Sequence, residues 1–274
     1  RTAFFPTAGG QPSDRGTLGE GRIVDEAEEG EELVHLVEDL REAPSGIVKC
    51  AVDAGRREDL ACQHTAQHVV SALAASLFSA RTVGFHLGER ATTVDFEGGA
   101  LDSARIREIE RAANRVVREN RPVVVSFESG RSRRVGAELR REEGELRIVS
   151  IDGLGGSACC GAHVASTARL GAILFGRIEK VRGAIRVELF ADDRALDEAE
   201  RLHGLLAALS GKSGAGIDDL PSWADAVLAE ARALKKENAD LASQCAALEA
   251  EALLSHAEPE GAARLVARTV SERD

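Results

Sequence analysis

Through the first part of the chain, apolar and polar residues tend to trade places at every second position. "GRIVDE" and "ELVHLVED" read as two strands joined across an acidic turn. In "GIVKCAVD", Val48, Cys50 and Val52 alternate with Lys49, Ala51 and Asp53, the period of a strand with one buried face. Ahead of these, "FFPTAGGQPSDRG" packs two Pro and three Gly into a turn-rich connection. Near Asp59 the period changes. Val70, Leu73, Ala74, Leu77 and Phe78 fall at i, i+3, i+4, i+7 and i+8, which predicts a helix with one apolar stripe.

"TVGFHLGERATTVDF" then predicts a hairpin turning at Gly88 and Glu89. A second helix over Asp102 to Asn120 buries Ile106, Ile109, Ala113 and Val116, with Arg107, Arg111 and Arg115 on another side. Strands follow at Val123 to Phe127, Leu146 to Ile151, Gly171 to Lys180 and Ala184 to Phe190, the last two joined through Arg182 and Gly183. Mostly antiparallel strands with two long helices make an α+β fold.

From Asp192 the pattern is helical. Val227, Leu234, Leu241 and Leu248 recur every seven residues, with Ala231, Asn238, Cys245 and Ala252 four after each. That is a d/a seam, either of a coiled coil, within the chain or in a homodimer through this helix, or of a long helix packed on its own domain. "GAARLVARTVSERD" reads as the start of a further strand. With Arg1 running straight into "TAFFPT", the chain reads as an excerpt of something longer. The resulting division is a β-rich segment 1–58, a core 59–191 and a helical extension 192–274 that breaks off before a further domain.

Composition narrows the class. A hydrophobic content of 43% fits a globular protein, and 3% aromatics leave the core to Val, Leu, Ile and Ala. No apolar run approaches the roughly 18 residues of a membrane span, so no membrane partner is expected. Five cysteines without framework spacing fit a reduced, cytoplasmic setting, where they serve as ligands or core residues. The formal charge of −11 argues against wholesale nucleic-acid binding. Yet Arg105 to Arg147 holds 12 Arg and 8 Glu, with no Lys or Asp. Such a segment is either a phosphate-steering face or a solvated surface laced with ion pairs.

The candidate chemistry lies in "CQHTAQHVV" and "GSACCGAHVAS". His64 and His68 are four apart on the predicted helix, so both rings leave one side, among small residues Ala61, Ser71, Ala75 and Ser79. Cys159 and His163 are separated by a short segment containing a glycine, able to turn both toward one point. Three imidazoles and one thiolate suit Zn2+, with Cys160 the alternative thiol. A protease H-E-x-x-H needs Glu where Thr65 stands, and the deaminase signature H-x-E with P-C-x-x-C does not occur.

His64-Thr-Ala-Gln-His68, followed about ninety residues later by Cys159-Cys-Gly-Ala-His163, resembles the editing domain of alanyl-tRNA synthetase. "RTAFFPTAGGQPSDRGTLG", "FHLG" at Phe85 to Gly88 and "RIVSIDG" bring it nearer to the free-standing alanyl-tRNA editing proteins of the AlaX type. The resemblance implies a small, glycine-rich, barrel-like N-terminal domain before the editing core, with a helical or coiled-coil extension. It implies a zinc-dependent hydrolase acting in trans on mischarged alanine tRNA, with serine and secondarily glycine as the amino acid removed. His64, His68, Cys159 and His163 are then the metal ligands. Gly9, Gly10, Gln11 and Asp14 fall in a motif facing the tRNA or the core domain, and Thr65, Gly84, Arg140 and Arg141 join them as candidate substrate-binding residues. Departures from the family pattern are Ala162 where Thr is common, Gly155 where Asp often stands, and Gly84 where relatives show Ser or Thr near the substrate hydroxyl, a role Thr65, Thr92 or Thr93 can take. Two other readings remain open: a non-catalytic RNA-binding or assembly module with structural zinc, and the editing fragment of a full synthetase.

Overall fold

The structure, a computed structural model, describes residues 2–7, 10–29, 32–42, 44–129, 145–255, 258–260 and 263–265. The chain divides into two compact units, Arg1–Arg201 and Leu202–Asp274. Among the described residues, antiparallel sheets and four α-helices make the fold α+β.

In the first unit, β1 (Gly16–Leu18), β2 (Gly21–Glu29), β3 (Glu32–Glu38) and β4 (Cys50–Val52) form one sheet in the order β3-β2-β1-β4. This corrects the barrel-like expectation, because the described strands form an open sheet. A barrel needs strands long enough to tilt and stagger until the last meets the first. Here β1 and β4 have three residues each, and β4 leads directly into a helix. The same shortness corrects the reading of "GIVKCAVD": only Cys50–Val52 pairs, and Cys50 is exposed.

Helix α1 (Ala54–Phe78) starts five residues before Asp59, where Asp53 caps it by accepting the Arg56 amide at 3.0 Å. The polar first turn carries no apolar period, so the cap alone marks the start. Val70, Leu73 and Ala74 enter the core as expected, whereas Leu77 stands exposed in the last turn. From Leu60 to Gln67, α1 is buried on every face. Gln63 pairs with the Ala191 backbone through both amide atoms, at 2.9 and 3.0 Å, as a strand edge would.

The main sheet has the order β10-β11-β6-β5, from β5 (Arg81–Leu87), β6 (Thr92–Glu97), β10 (Ile173–Val181) and β11 (Ala184–Ala191). Positive φ at Arg182 and Gly183 makes the tight β10–β11 turn. Val94, Phe96, Val187 and Leu189 meet Val69 and Leu73 of α1 and Ile106, Ile109, Ala113 and Val116 of α2 (Ser103–Arg118) in one core. A third sheet, β7-β8-β9, joins β7 (Val123–Ser129), β8 (Glu145–Ile151) and β9 (Gly155–Ala158). It delivers the Cys-Cys segment to the helix bearing the histidines.

Helix α3 (Asp193–Ser213) runs across the boundary of the two units. In the second, α4 (Leu220–Ser255) is one helix of 36 residues, followed by the short hairpin β12 (Glu258–Glu260) and β13 (Ala263–Leu265). Val227, Leu234, Leu241 and Leu248 are all exposed. Among the described residues no helix is long and apolar enough to cross a membrane.

Candidate metal centre

His64 and His68, on one side of α1, face Cys159 and His163 from the segment after β9, and one donor atom from each lies within 4.8 Å of all the others. Cys159 Sγ is 3.3 Å from His64 Nε2 and 3.2 Å from His163 Nε2. The backbone of Cys159 is pinned on both sides by Arg147, whose carbonyl accepts its amide at 3.1 Å and whose Nη1 donates to its carbonyl at 2.6 Å.

Each imidazole is held at the nitrogen that faces away from this point. His64 Nδ1 lies 2.8 Å from Gln11 Oε1, which also accepts the Ala162 amide at 3.1 Å. That amide can only donate, so the oxygen of Gln11 is fixed and His64 must carry its proton on Nδ1. Thr65 Oγ1 donates to the Ala61 carbonyl at 2.8 Å and therefore accepts from His163 Nδ1 at 3.0 Å. His68 Nδ1 meets Ser157 Oγ at 2.9 Å. The Nε2 lone pairs of His64 and His163 are thus presented to the thiol, the arrangement in which outer oxygens orient imidazole ligands.

Burial keeps these rings neutral, as ligation requires. It lowers His64 to about 3 and His68 to about 4, and it lowers His163 too, with neighbouring imidazoles and Arg147 adding smaller effects in the same direction. Burial also raises the Cys159 thiol, which a bound cation would offset by binding the thiolate. Cys62, by contrast, is a core thiol pushed up to about 12 by burial, with its Sγ 3.2 Å from the Arg169 carbonyl. Neutral nitrogens, one sulfur and fixed tautomers form a donor set able to hold a metal ion.

The glycine-rich motif faces this centre. Gln11 is buried and orients His64. Gly10, at φ +85°, passes so close to Phe85 that a Cβ would stand 3.0 Å from its ring. Asp14 is buried against Arg57, whose Nε donates to it at 3.2 Å, and accepts the Phe5 amide at 2.6 Å. Gly10 lines the cavity beside the metal centre, and Asp14 does not. Thr65 is fully buried, and its hydroxyl serves His163. Gly9, Arg140 and Arg141 lie outside the described residues. Sequence reasoning missed Gln11 as a histidine partner, Ser157, Arg147 and Gly161. A Cβ on Gly161 would stand 2.2 Å from His64 Nδ1, so the only sequence signal was the glycine between Cys160 and Ala162.

Beside His64 and His68 opens a cavity of about 1000 Å³. Ser71, Ala72 and Ala75 of α1 with Ser79 just after it form one wall, Gly84 and Phe85 another, and Gly155 to Gly161 a third. Among the described residues no Asp or Glu lines it. Beyond His163, a second cavity of about 600 Å³ carries Arg57, Arg147 and Arg169.

No family model matches the chain. Alanyl-tRNA editing protein Aarsd1-B of Xenopus laevis is 29% identical over 266 residues, covering 94% of this chain and 64% of that protein. Alanyl-tRNA editing protein Aarsd1 of Mus musculus is 29% identical over 260 residues, covering 93% and 63%. An alanine–tRNA ligase of Methanocella arvoryzae is 30% identical over 260 residues, covering 89% of this chain and 29% of the ligase. The chain spans slightly less than two thirds of the length of the editing proteins it matches. Along nearly all of its length the chain is similar to alanyl-tRNA editing proteins, and over 89% of it to part of a ligase for the same amino acid.

Proposed function

We propose that this chain hydrolyses the ester joining a wrong amino acid, serine first and glycine second, to alanine tRNA, with Zn2+ held by His64, His68, Cys159 and His163. The observation that carries the reading is the four-donor cluster, three of whose members, His64, His68 and Cys159, line a large cavity, in a chain similar to editing proteins. Such a hydrolase meets a physical need. A small apolar pocket rejects an added hydroxyl by only about a hundredfold, so a second site must remove what passes.

The residues divide the work. The cavity receives the aminoacyl end of the tRNA, and its small wall residues Ala72, Ala75 and Gly84 leave room for it. Gln11, Thr65 and Ser157 keep the imidazoles turned toward the metal. When bound, zinc supplies a Lewis-acid centre beside the substrate. The ester is already activated by its own ammonium group, so a cavity without a carboxylate base can suffice. Gly84 itself offers no hydroxyl, and Thr82 of the same strand lines the same cavity. Purified protein should deacylate Ser-tRNA(Ala) and spare Ala-tRNA(Ala). Tight RNA binding without any deacylation would instead favour a binding module with structural metal, the role that a closed set of four donors ordinarily has.

For the tRNA, phosphate contact is assigned to Arg107, Arg111 and Arg115, which are exposed along α2 and form no ion pair among the described residues, and to Arg140 and Arg141. If the three helix arginines neutralise three phosphates, log affinity against log salt should lose about 2–3 units of slope when all three become Ala. An unaltered slope returns them to a solvated surface. The exposed seam of α4 is assigned to a second copy of the chain, in the cytoplasm. A parallel pair sets Asn238 against itself and brings Glu230 beside Lys235 of the copy. Asn238→Leu should then change the mass seen in sedimentation, and a monomer before and after would end that assignment.

A further inference from the structure

The wall of the large cavity includes a buried acceptor that the protein leaves without a donor. Among the described residues three buried side-chain oxygens lack a partner: Glu26 Oε2, Gln67 Oε1 and Thr92 Oγ1. Only Gln67 lines the cavity. It sits between the two helical ligands, three residues after His64 and one before His68, and is 5% exposed. Its Nε2 donates to Ser71 Oγ at 2.8 Å, and the same oxygen takes the Thr82 hydroxyl hydrogen at 2.7 Å. Clamped by its nitrogen end, the amide holds Oε1 away from every donor in the fold. A buried carbonyl oxygen in that state is destabilising, and a ligand that brings a donor relieves the penalty.

The surroundings select the kind of donor. The described lining residues include no carboxylate, and the one charged residue among them, Arg81, is paired with Glu97 at 2.8 Å. The α-ammonium, common to seryl, glycyl and alanyl esters, cannot tell them apart, whereas the seryl hydroxyl can. A neutral hydroxyl suits a neutral amide oxygen. Ser71, Ala72 and Gly84, all small, line the same cavity and leave space for a short side chain. We infer that Gln67 Oε1 accepts the β-hydroxyl hydrogen of a seryl group, which makes Gln67 the residue that distinguishes serine from glycine and alanine. This rests on the deacylase reading above. A site whose buried acceptor goes unpaired with the wrong substrate discriminates far better than one relying on size.

The test compares kcat/KM for Ser-, Gly- and Ala-tRNA(Ala) in the wild type and in Gln67→Met, which keeps an unbranched side chain of similar length and removes the acceptor. Metal content and melting temperature are followed in both. The Ser-to-Gly ratio of kcat/KM should collapse by about 10- to 100-fold in the variant. A parallel fall for all three substrates, with the ratio intact, assigns Gln67 a merely structural role and overturns the proposal while leaving the deacylase reading standing. Wild-type protein that deacylates none of them overturns both. Should Gln67→Met fail to fold, the wild type decides alone. It should bind the inert amide 3′-seryl-amino-3′-deoxyadenosine at least about tenfold tighter than its alanyl counterpart, and equal affinities overturn the assignment.

Discussion

His64→Ala is expected to strip the metal from the protein and abolish deacylation while leaving the fold in place. His64 contributes one of four donors, and its Nε2 stands 3.3 Å from the Cys159 sulfur. A structural zinc site of this size binds with roughly 10–16 kcal/mol, or about 2.5–4 kcal/mol per donor, so one missing donor weakens binding by about 100- to 1,000-fold. Alanine suits the helix interior, and the lost ring leaves a cavity rather than a buried charge. The melting temperature should therefore fall less than the metal content. Elemental analysis after dialysis against a chelator, together with single-turnover hydrolysis of Ser-tRNA(Ala), checks both. Undiminished hydrolysis by metal-free protein would remove the ion from the reaction.

The parts of the centre legible in the sequence are those written in local spacing. His64 and His68 fall four apart on a helix whose wheel places them among Ser71, Ala75 and Ser79, and those residues do line the cavity. Cys159 and His163 were readable because a glycine between them permits a tight return. Ile106, Ile109, Ala113 and Val116 followed the helical period into the core. What stayed hidden depends on long-range pairing. Gln11 reaches a histidine 53 residues away and an amide 151 residues away, and no periodicity encodes either contact. Thr65 was read as a free hydroxyl, since nothing local reveals that His163 occupies it. The strand at Val48 to Val52 was over-read because alternation states which face would be buried, not whether a neighbouring strand exists to pair with it.

The second large effect belongs to one methyl group. Gly161→Ala should cost the protein both its metal and much of its stability. The φ of Gly161 lies outside the left-handed region, so the backbone would tolerate alanine, and the obstacle is space alone. The added carbon would stand 2.2 Å from His64 Nδ1, 2.3 Å from Cε1 of the same ring and 2.6 Å from Gln11 Oε1. None of these can yield cheaply: the ring is a buried ligand, and the amide oxygen is held by Ala162. Moving them breaks the hydrogen bond that orients His64, a class of change that lowers metal affinity by about 10- to 100-fold. Overpacking at a buried contact adds roughly 1–3 kcal/mol of destabilisation. Gly183→Ala separates the two causes. It sits at φ +86° in the β10–β11 turn with nothing within 4 Å, so it should lower the melting temperature through backbone strain and leave metal affinity alone. Equal metal affinity and stability in Gly161→Ala and the wild type would mean that the segment after Cys159 does not pack on His64, and the shared coordination point would go with it.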